Sequence, residues 1–246
     1  HNYVKETLFL DGGSSAISNV NYYDGLGNLQ ETISTASGTS DNTCTFKFYD
    51  SKGREGKSYY PTPTSNGLKF VEFHDFVELS KHYYNDSFAF KQNDYDSSDR
   101  IIRESIAGEK WHYHDAHNLF QYTYNTTADK VIRYACDPLL EKGYYPAGCL
   151  EKDSEKDADG NEVTTFKDLN GNILLERRNL GDTYFVYDHL GQLRFILSPK
   201  YQEKGDLASY AYQYEYDRLG NLIRKTFPGA KYIQYWYDKE GHLAYE

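Results

Sequence analysis

The sequence has no methionine at any of its 246 positions and begins at His1, so it is expected to start at a processed or truncated end rather than at a native translation start. No charged segment followed by an apolar stretch opens it, so any export signal would already be gone. Cysteine is scarce. Cys44, Cys136 and Cys149 are an odd number, which is no disulfide framework, and no two stand at zinc-ligand spacing. Cys136 and Cys149 bracket the Pro138–Pro146 connection and could pair in an oxidising compartment, but free thiols are the expectation. Long apolar runs are also missing: nothing approaches the roughly 18 residues of a membrane helix, so no membrane span is expected. Positive charge is in deficit, with 27 basic against 37 acidic side chains and a net charge of −10, so a nucleic-acid or anionic-membrane partner is disfavoured.

What the chain does have is tyrosine, 26 residues of it, beside 13 phenylalanines and a hydrophobic total of only 39%. Much of that tyrosine belongs to an internal repeat. The segments Tyr23-Asp24-Gly25-Leu26-Gly27-Asn28-Leu29, Tyr187-Asp188-His189-Leu190-Gly191-Gln192-Leu193, Tyr216-Asp217-Arg218-Leu219-Gly220-Asn221-Leu222 and Tyr237-Asp238-Lys239-Glu240-Gly241-His242-Leu243 share one pattern, aromatic-Asp-x-x-Gly-polar-apolar. Tyr49-Asp50 with Gly53 keeps it without the final apolar residue, and Asp168 with Gly171 keeps it with Lys167 in place of the tyrosine. Asp157-Ala158-Asp159-Gly160 is a weaker copy. Tyr95-Asp96 has Asp99 where glycine belongs, and Tyr113-His114 places His114 and His117 at the Asp and Gly positions.

An Asp opening a type I turn can accept bonds from the turn's own amides, and a glycine three residues on supplies the left-handed conformation that closes a bulged hairpin. The turn residues are therefore expected to be Asp24, Gly27, Asp50, Gly53, Asp168, Gly171, Asp188, Gly191, Asp217, Gly220, Asp238 and Gly241. Alternating aromatics before the turns, Tyr212, Tyr214 and Tyr216 or Tyr235 and Tyr237, read as strand. A lone two-stranded hairpin is not stable, so the units must stack into an antiparallel sheet. The expected fold is mainly all-β: a repeat-built ribbon or curved sheet of antiparallel hairpins.

These units resemble YD repeats, the tyrosine-aspartate repeats of Rhs-type bacterial surface and toxin-delivery proteins. The stretches Asn2-Tyr3-Val4-Lys5, Tyr83-Tyr84-Asn85-Asp86, Asp99-Arg100-Ile101-Ile102-Arg103-Glu104 and Gly108-Glu109-Lys110-Trp111-His112 resemble the uncharacterised region that precedes the YD array in such proteins of Bacteroides-like bacteria. The resemblance implies a cell-surface or secreted scaffold. In larger members of the family the ribbon forms a hollow shell around a C-terminal toxic domain, so the implied partners are further YD repeats or a C-terminal effector. This chain is expected to represent one end of such a ribbon without the cargo.

Two irregular stretches interrupt the pattern. Pro61-Thr62-Pro63-Thr64-Ser65-Asn66-Gly67 is loop-like in composition. One short helix is expected near 74–84, with Asp75 as its N-cap and Phe76, Leu79 and Tyr83 at near-helical spacing. Residues 135–147 read as a long connection. The expected division falls near Leu150, with an N-terminal YD-related region at 1–149 and a YD-repeat array at 150–246.

Other chemistry is thinly supported. His112, His114 and His117 with Asp115 could hold a transition metal if His112 and His114 shared a strand face, although two of them sit at decayed turn positions. Glu155, Asp157 and Asp159 before Gly160 imitate positions one, three and five of a calcium loop, but position twelve falls on Phe166. Asp94, Asp96 and Asp99 imitate it less well. No nucleophile elbow, phosphate-binding glycine loop or HExxH is present, and Gly25-Leu26-Gly27 precedes no helix pattern. Asn85 and Asn125 sit in glycosylation sequons. The reading that fits best is a non-catalytic structural module without cofactor. The alternatives are a glycan-binding module using exposed Tyr212, Tyr214, Tyr216, Tyr235 and Tyr237, and a hydrolase whose acids or histidines converge only in the fold.

Overall fold

A computed structural model describes residues 1–13, 15–35, 42–113 and 117–245. The chain divides into two compact units, residues 1–119 with 157–159, and residues 120–156 with 160–246. Both are antiparallel β structure.

The first unit contains β1 (Asn2–Leu10), β2 (Ser15–Tyr23), β3 (Leu29–Thr35), β4 (Asn42–Tyr49), β5 (Glu55–Tyr59), β6 (Thr62–Thr64), helix α1 (Phe73–Tyr84), β7 (Phe90–Tyr95), β8 (Ile101–Ser105) and the short helix α2 (Glu109–Tyr113). Strand β9 (His117–Tyr124) follows and pairs with β8 through His117, Asn118 and Leu119. Each strand pairs with the next in a meander, except that β4 pairs with both β5 and β6, and β5 with β7. One sheet face supplies Val20, Tyr22, Ile33, Cys44, Phe46, Tyr59 and Phe90 to a core closed by Val71 and Phe76.

The anticipated helix is present, with a different face and cap. Its N-cap is Glu72, with Asp75 inside the first turn. Phe73, Phe76, Val77 and Ser80 face the core, whereas Leu79 and Tyr83 are exposed. The inward stripe thus runs at spacings of three and four from Phe73, one residue before the expected start. The loop-like Pro61–Gly67 stretch contributes strand β6, whose Thr62 and Thr64 are buried against β4.

The second unit contains the hairpin β10 (Ile132–Ala135) and β11 (Leu140–Tyr144), whose turn and second strand come from the 135–147 stretch that reads as a long connection. It continues with β12 (Glu151–Lys156), β13 (Glu162–Lys167), β14 (Ile173–Arg178), β15 (Gly181–Tyr187), β16 (Leu193–Leu197), the short helices α3 (Pro199–Lys204) and α4 (Leu207–Tyr210), then β17 (Ala211–Tyr216), β18 (Leu222–Thr226), β19 (Tyr232–Gln234) and a last hairpin of β20 (Trp236–Tyr237) and β21 (Leu243–Tyr245). Strands β12 to β19 form a continuous meander. Phe166, Leu175, Tyr184, Val186, Leu197 and Ala211 form its core with Val131 and Leu150, covered by Ile132, Tyr134, Leu139, Tyr201 and Leu207 from the β10–β11 hairpin and the two helices. Among the described residues no helix is long and apolar enough to cross a membrane.

Candidate functional site

The repeated turn is built the same way wherever it is described. Asp24 Oδ1 accepts the amides of Leu26 and Asn28, both at 2.8 Å, and Asp217 Oδ1 accepts those of Leu219 and Asn221 at 2.8 and 2.9 Å. Asp50, Asp168, Asp188 and Asp238 accept the corresponding pairs. The Asp amide donates to the carbonyl four residues on, and the glycine amide returns a bond to the Asp carbonyl, as in Asp217 to Asn221 (3.0 Å) and Gly220 to Asp217 (3.2 Å). Gly220 has φ +89°, a conformation that side chains with a Cβ resist. A register shift falls one step before each Asp, between Tyr22 and Tyr23, Phe48 and Tyr49, Val186 and Tyr187, and Glu215 and Tyr216. This is the bulge that lets the chain reverse.

The degenerate copy at Asp96 folds identically. Asp96 Oδ1 accepts the amides of Ser98 and Arg100, and Asp99 takes the glycine's place at φ +64°. Asp99 also receives Arg54 Nη1 at 2.6 Å and Lys52 Nζ at 3.3 Å.

Two features of the turn escape a pattern read by residue type alone. The polar residue after the glycine is a ligand of the Asp itself: Asp Oδ2 accepts from Asn28, Arg54, Arg100, Asn172 and Asn221, and His242 Nδ1 lies 3.1 Å from Asp238 Oδ2. These contacts hold the carboxyls of Asp24, Asp50 and Asp217 below the ordinary range, Asp50 to about 2, through the side-chain bond first. For Asp96 and Asp238, also lowered, the backbone bond from the same residue leads.

The motif tyrosine is the second feature. Tyr49 Oη donates to the Leu29 carbonyl at 2.8 Å, Tyr95 to Glu55 at 2.9 Å, Tyr216 to Leu193 at 3.0 Å and Tyr237 to Leu222 at 3.0 Å. In every case the acceptor lies five residues after the Asp of the preceding described turn, so each tyrosine stitches its hairpin to the one before it. The hydroxyl finds a backbone acceptor while the ring packs across the sheet, which suits tyrosine and not phenylalanine.

Of the five tyrosines expected as a ligand-binding set, Tyr216 and Tyr237 are engaged in this way. Tyr214 lies half-buried with Lys225 Nζ 5.8 Å from its ring, Tyr235 is half-buried, and Tyr212 alone is exposed, edge-on to Phe227 at 5.8 Å. Asp157 accepts the Asp159 amide at 3.0 Å in a solvent-facing turn. His112 lies on helix α2, not on a strand: Asp86, distant in sequence, accepts the Glu109 amide at 2.8 Å and so starts the helix. The His112 ring stacks on Phe88 at 4.1 Å and lies 6.5 Å from the His117 ring, and burial, then His117, pushes its pKa down. His114 falls outside the described residues. Among the described residues, no group of three His, Cys, Asp or Glu side chains gathers as metal ligands. The three cysteines are free thiols. Asn125 is buried, its amide donating to the Pro146 carbonyl and accepting from Leu150, so that sequon is closed to modification in the fold.

A meander of bulged hairpins with a recurring Asp turn and a stitching tyrosine defines a repeat-built β protein. Its sequence agrees: a domain of unknown function (DUF6443) matches residues 3–126, just over half of the chain, and the chain belongs to that family. The fold is similar to a crystal structure of TcdB2-TccC3 without its hypervariable C-terminal region, at TM-score 0.64 and 15% identity over 98% of this chain and 12% of that one. It is similar also to a Tc holotoxin pore of Photorhabdus luminescens carrying a TccC3 mutation, at TM-score 0.57 and 17% identity over 98% and 12%. The chain thus spans about an eighth of the length of these solved chains. No curated protein matches its sequence. None of the matches bears on a placement among Bacteroides-like bacteria.

Proposed function

We propose that the chain is a non-catalytic YD-repeat scaffold, a stretch of wall that in a longer protein encloses a C-terminal effector at the cell surface or after secretion. The observation that carries this reading is the tyrosine stitching. Repeated hydroxyl-to-carbonyl bonds join successive hairpins, so the motif residues are spent on extending a sheet rather than on convergence at a reaction centre. The similarity to the solved toxin structures over 98% of the chain supports the same reading.

The test is limited proteolysis of the longest native product that contains this chain, followed by mass spectrometry. Enclosure predicts that sequence C-terminal to the repeats is cleaved far more slowly than the same segment expressed alone. Equal cleavage rates would overturn it.

A further inference from the structure

Beside the β10–β11 hairpin lies a cavity of about 200 Å³ within the second unit. Its walls include four tyrosines, Tyr134, Tyr145, Tyr184 and Tyr187, and two turn aspartates, Asp168 and Asp188. Among the described residues no lysine or arginine lines it, and the exposed His189 is its one basic lining residue.

Two features separate this seam from those stitched by Tyr49, Tyr95, Tyr216 and Tyr237. Tyr187 occupies the stitching position, yet among the described residues its hydroxyl makes no hydrogen bond, whereas those of Tyr49, Tyr95, Tyr216 and Tyr237 all donate to the preceding hairpin. At Asp188 the residue after the glycine is Gln192, which bonds the carboxylate through its amide nitrogen of the backbone only. The second oxygen is approached instead by Arg194 at 3.7 Å, longer than the side-chain bonds of 2.7–3.0 Å that Asn28, Arg54, Arg100, Asn172 and Asn221 make elsewhere. The seam therefore joins an unbonded phenol, further tyrosine side chains and two carboxylates, one of them facing Arg194, in a space of about 200 Å³. Aromatic faces attract cations, the more so where water is thinned out and carboxylates lie close.

We propose that this cavity binds an ammonium or guanidinium group, carried by a lysine or arginine side chain of a polypeptide or by a polyamine. The tyrosine faces surround the cation, Asp168 and Asp188 supply the counter-charge, and the Tyr187 hydroxyl accepts one of its N–H bonds. This site is independent of the scaffold reading, because it needs only the second unit's own seam.

The test is calorimetric titration of the intact chain with Nα-acetyl-lysine methylamide, its norleucine counterpart lacking the ammonium, spermidine and N-acetylglucosamine. Saturable binding of the lysine derivative or of spermidine is expected, and the tighter of the two identifies the source. The norleucine compound should bind at least about tenfold more weakly. His189→Lys, a change at an exposed residue, sets a cation at the cavity and should weaken binding about tenfold with Tm unchanged, and Tyr187→Phe should weaken it severalfold. Absence of saturable binding by both amines, equal binding of the norleucine compound, or binding of N-acetylglucosamine alone would overturn the proposal, the last in favour of a neutral sugar. Amine affinity unaltered in both variants would overturn it too.

Discussion

The Tyr216 hydroxyl donates to the Leu193 carbonyl oxygen at 3.0 Å, so a side chain of one hairpin closes on the backbone of the hairpin before it. Tyr216→Phe keeps the ring and removes only this bond, at an expected cost of about 1 kcal/mol. Tyr187→Phe, whose hydroxyl makes no such bond, should leave stability nearly unchanged. Thermal unfolding of the two variants side by side checks the difference, and equal losses would refute the stitching role.

Gly220 sits at φ +89°. A β-branched side chain resists that conformation, so Gly220→Val should cost about 2 kcal/mol. Gly25 occupies the same kind of turn with no left-handed φ and no atom within 4 Å of an added Cβ. Gly25→Ala should therefore be neutral to within about 0.5 kcal/mol. Urea titration of both variants tests the assignment of strain to the glycine position.

Gly181 is constrained by contact as well as by conformation. It has φ +123°, and a Cβ placed on it would lie 2.7 Å from Pro199 Cβ, part of a ring that cannot swing aside. Gly181→Ala is expected to cost about 3 kcal/mol and to loosen the packing of α3 on β15. Hydrogen exchange confined to residues near 181 and 199 would show the second effect.

Glu31 is only 1% exposed and, among the described residues, has no cationic partner. Its carboxyl accepts the Cys44 thiol at 2.9 Å and the Val71 amide at 3.1 and 3.2 Å, with Glu72 adding like charge. Burial raises its pKa from 4.5 to about 7. The folded state therefore keeps this proton where the unfolded chain has lost it. Stability from this group is greatest below pH 4.5, falls as pH rises to about 7, and is flat above, a change on the order of 3 kcal/mol. Glu31→Gln should remove that part of the slope and be the more stable protein at pH 8. A variant whose Tm follows the same pH profile as the parent would contradict this.

The hairpins were legible in the sequence because each turn is a local event, specified by an Asp and a glycine three residues apart. The stitching bond was not, since its acceptor is a backbone carbonyl that any residue provides, Leu29 in one case and Glu55 in another. Helix α2 was equally hidden, because its start depends on Asp86, 23 residues before Glu109 in the chain. The inward face of α1 could have been found by testing every register from Phe73, where the apolar spacing begins. Residues 135–147 read as a connection because the strand they supply to this hairpin, β11, is short and exposed throughout, which leaves no alternation to detect.

Asp99 bears on how such chains are counted. It holds the left-handed corner of its turn, and the bulge before it is intact. A hairpin can thus outlive the signature by which it is recognised. Any tally of repeats scored on the glycine undercounts the strands, and the length of sheet encoded by a chain of this kind is better measured from its recurring aspartates.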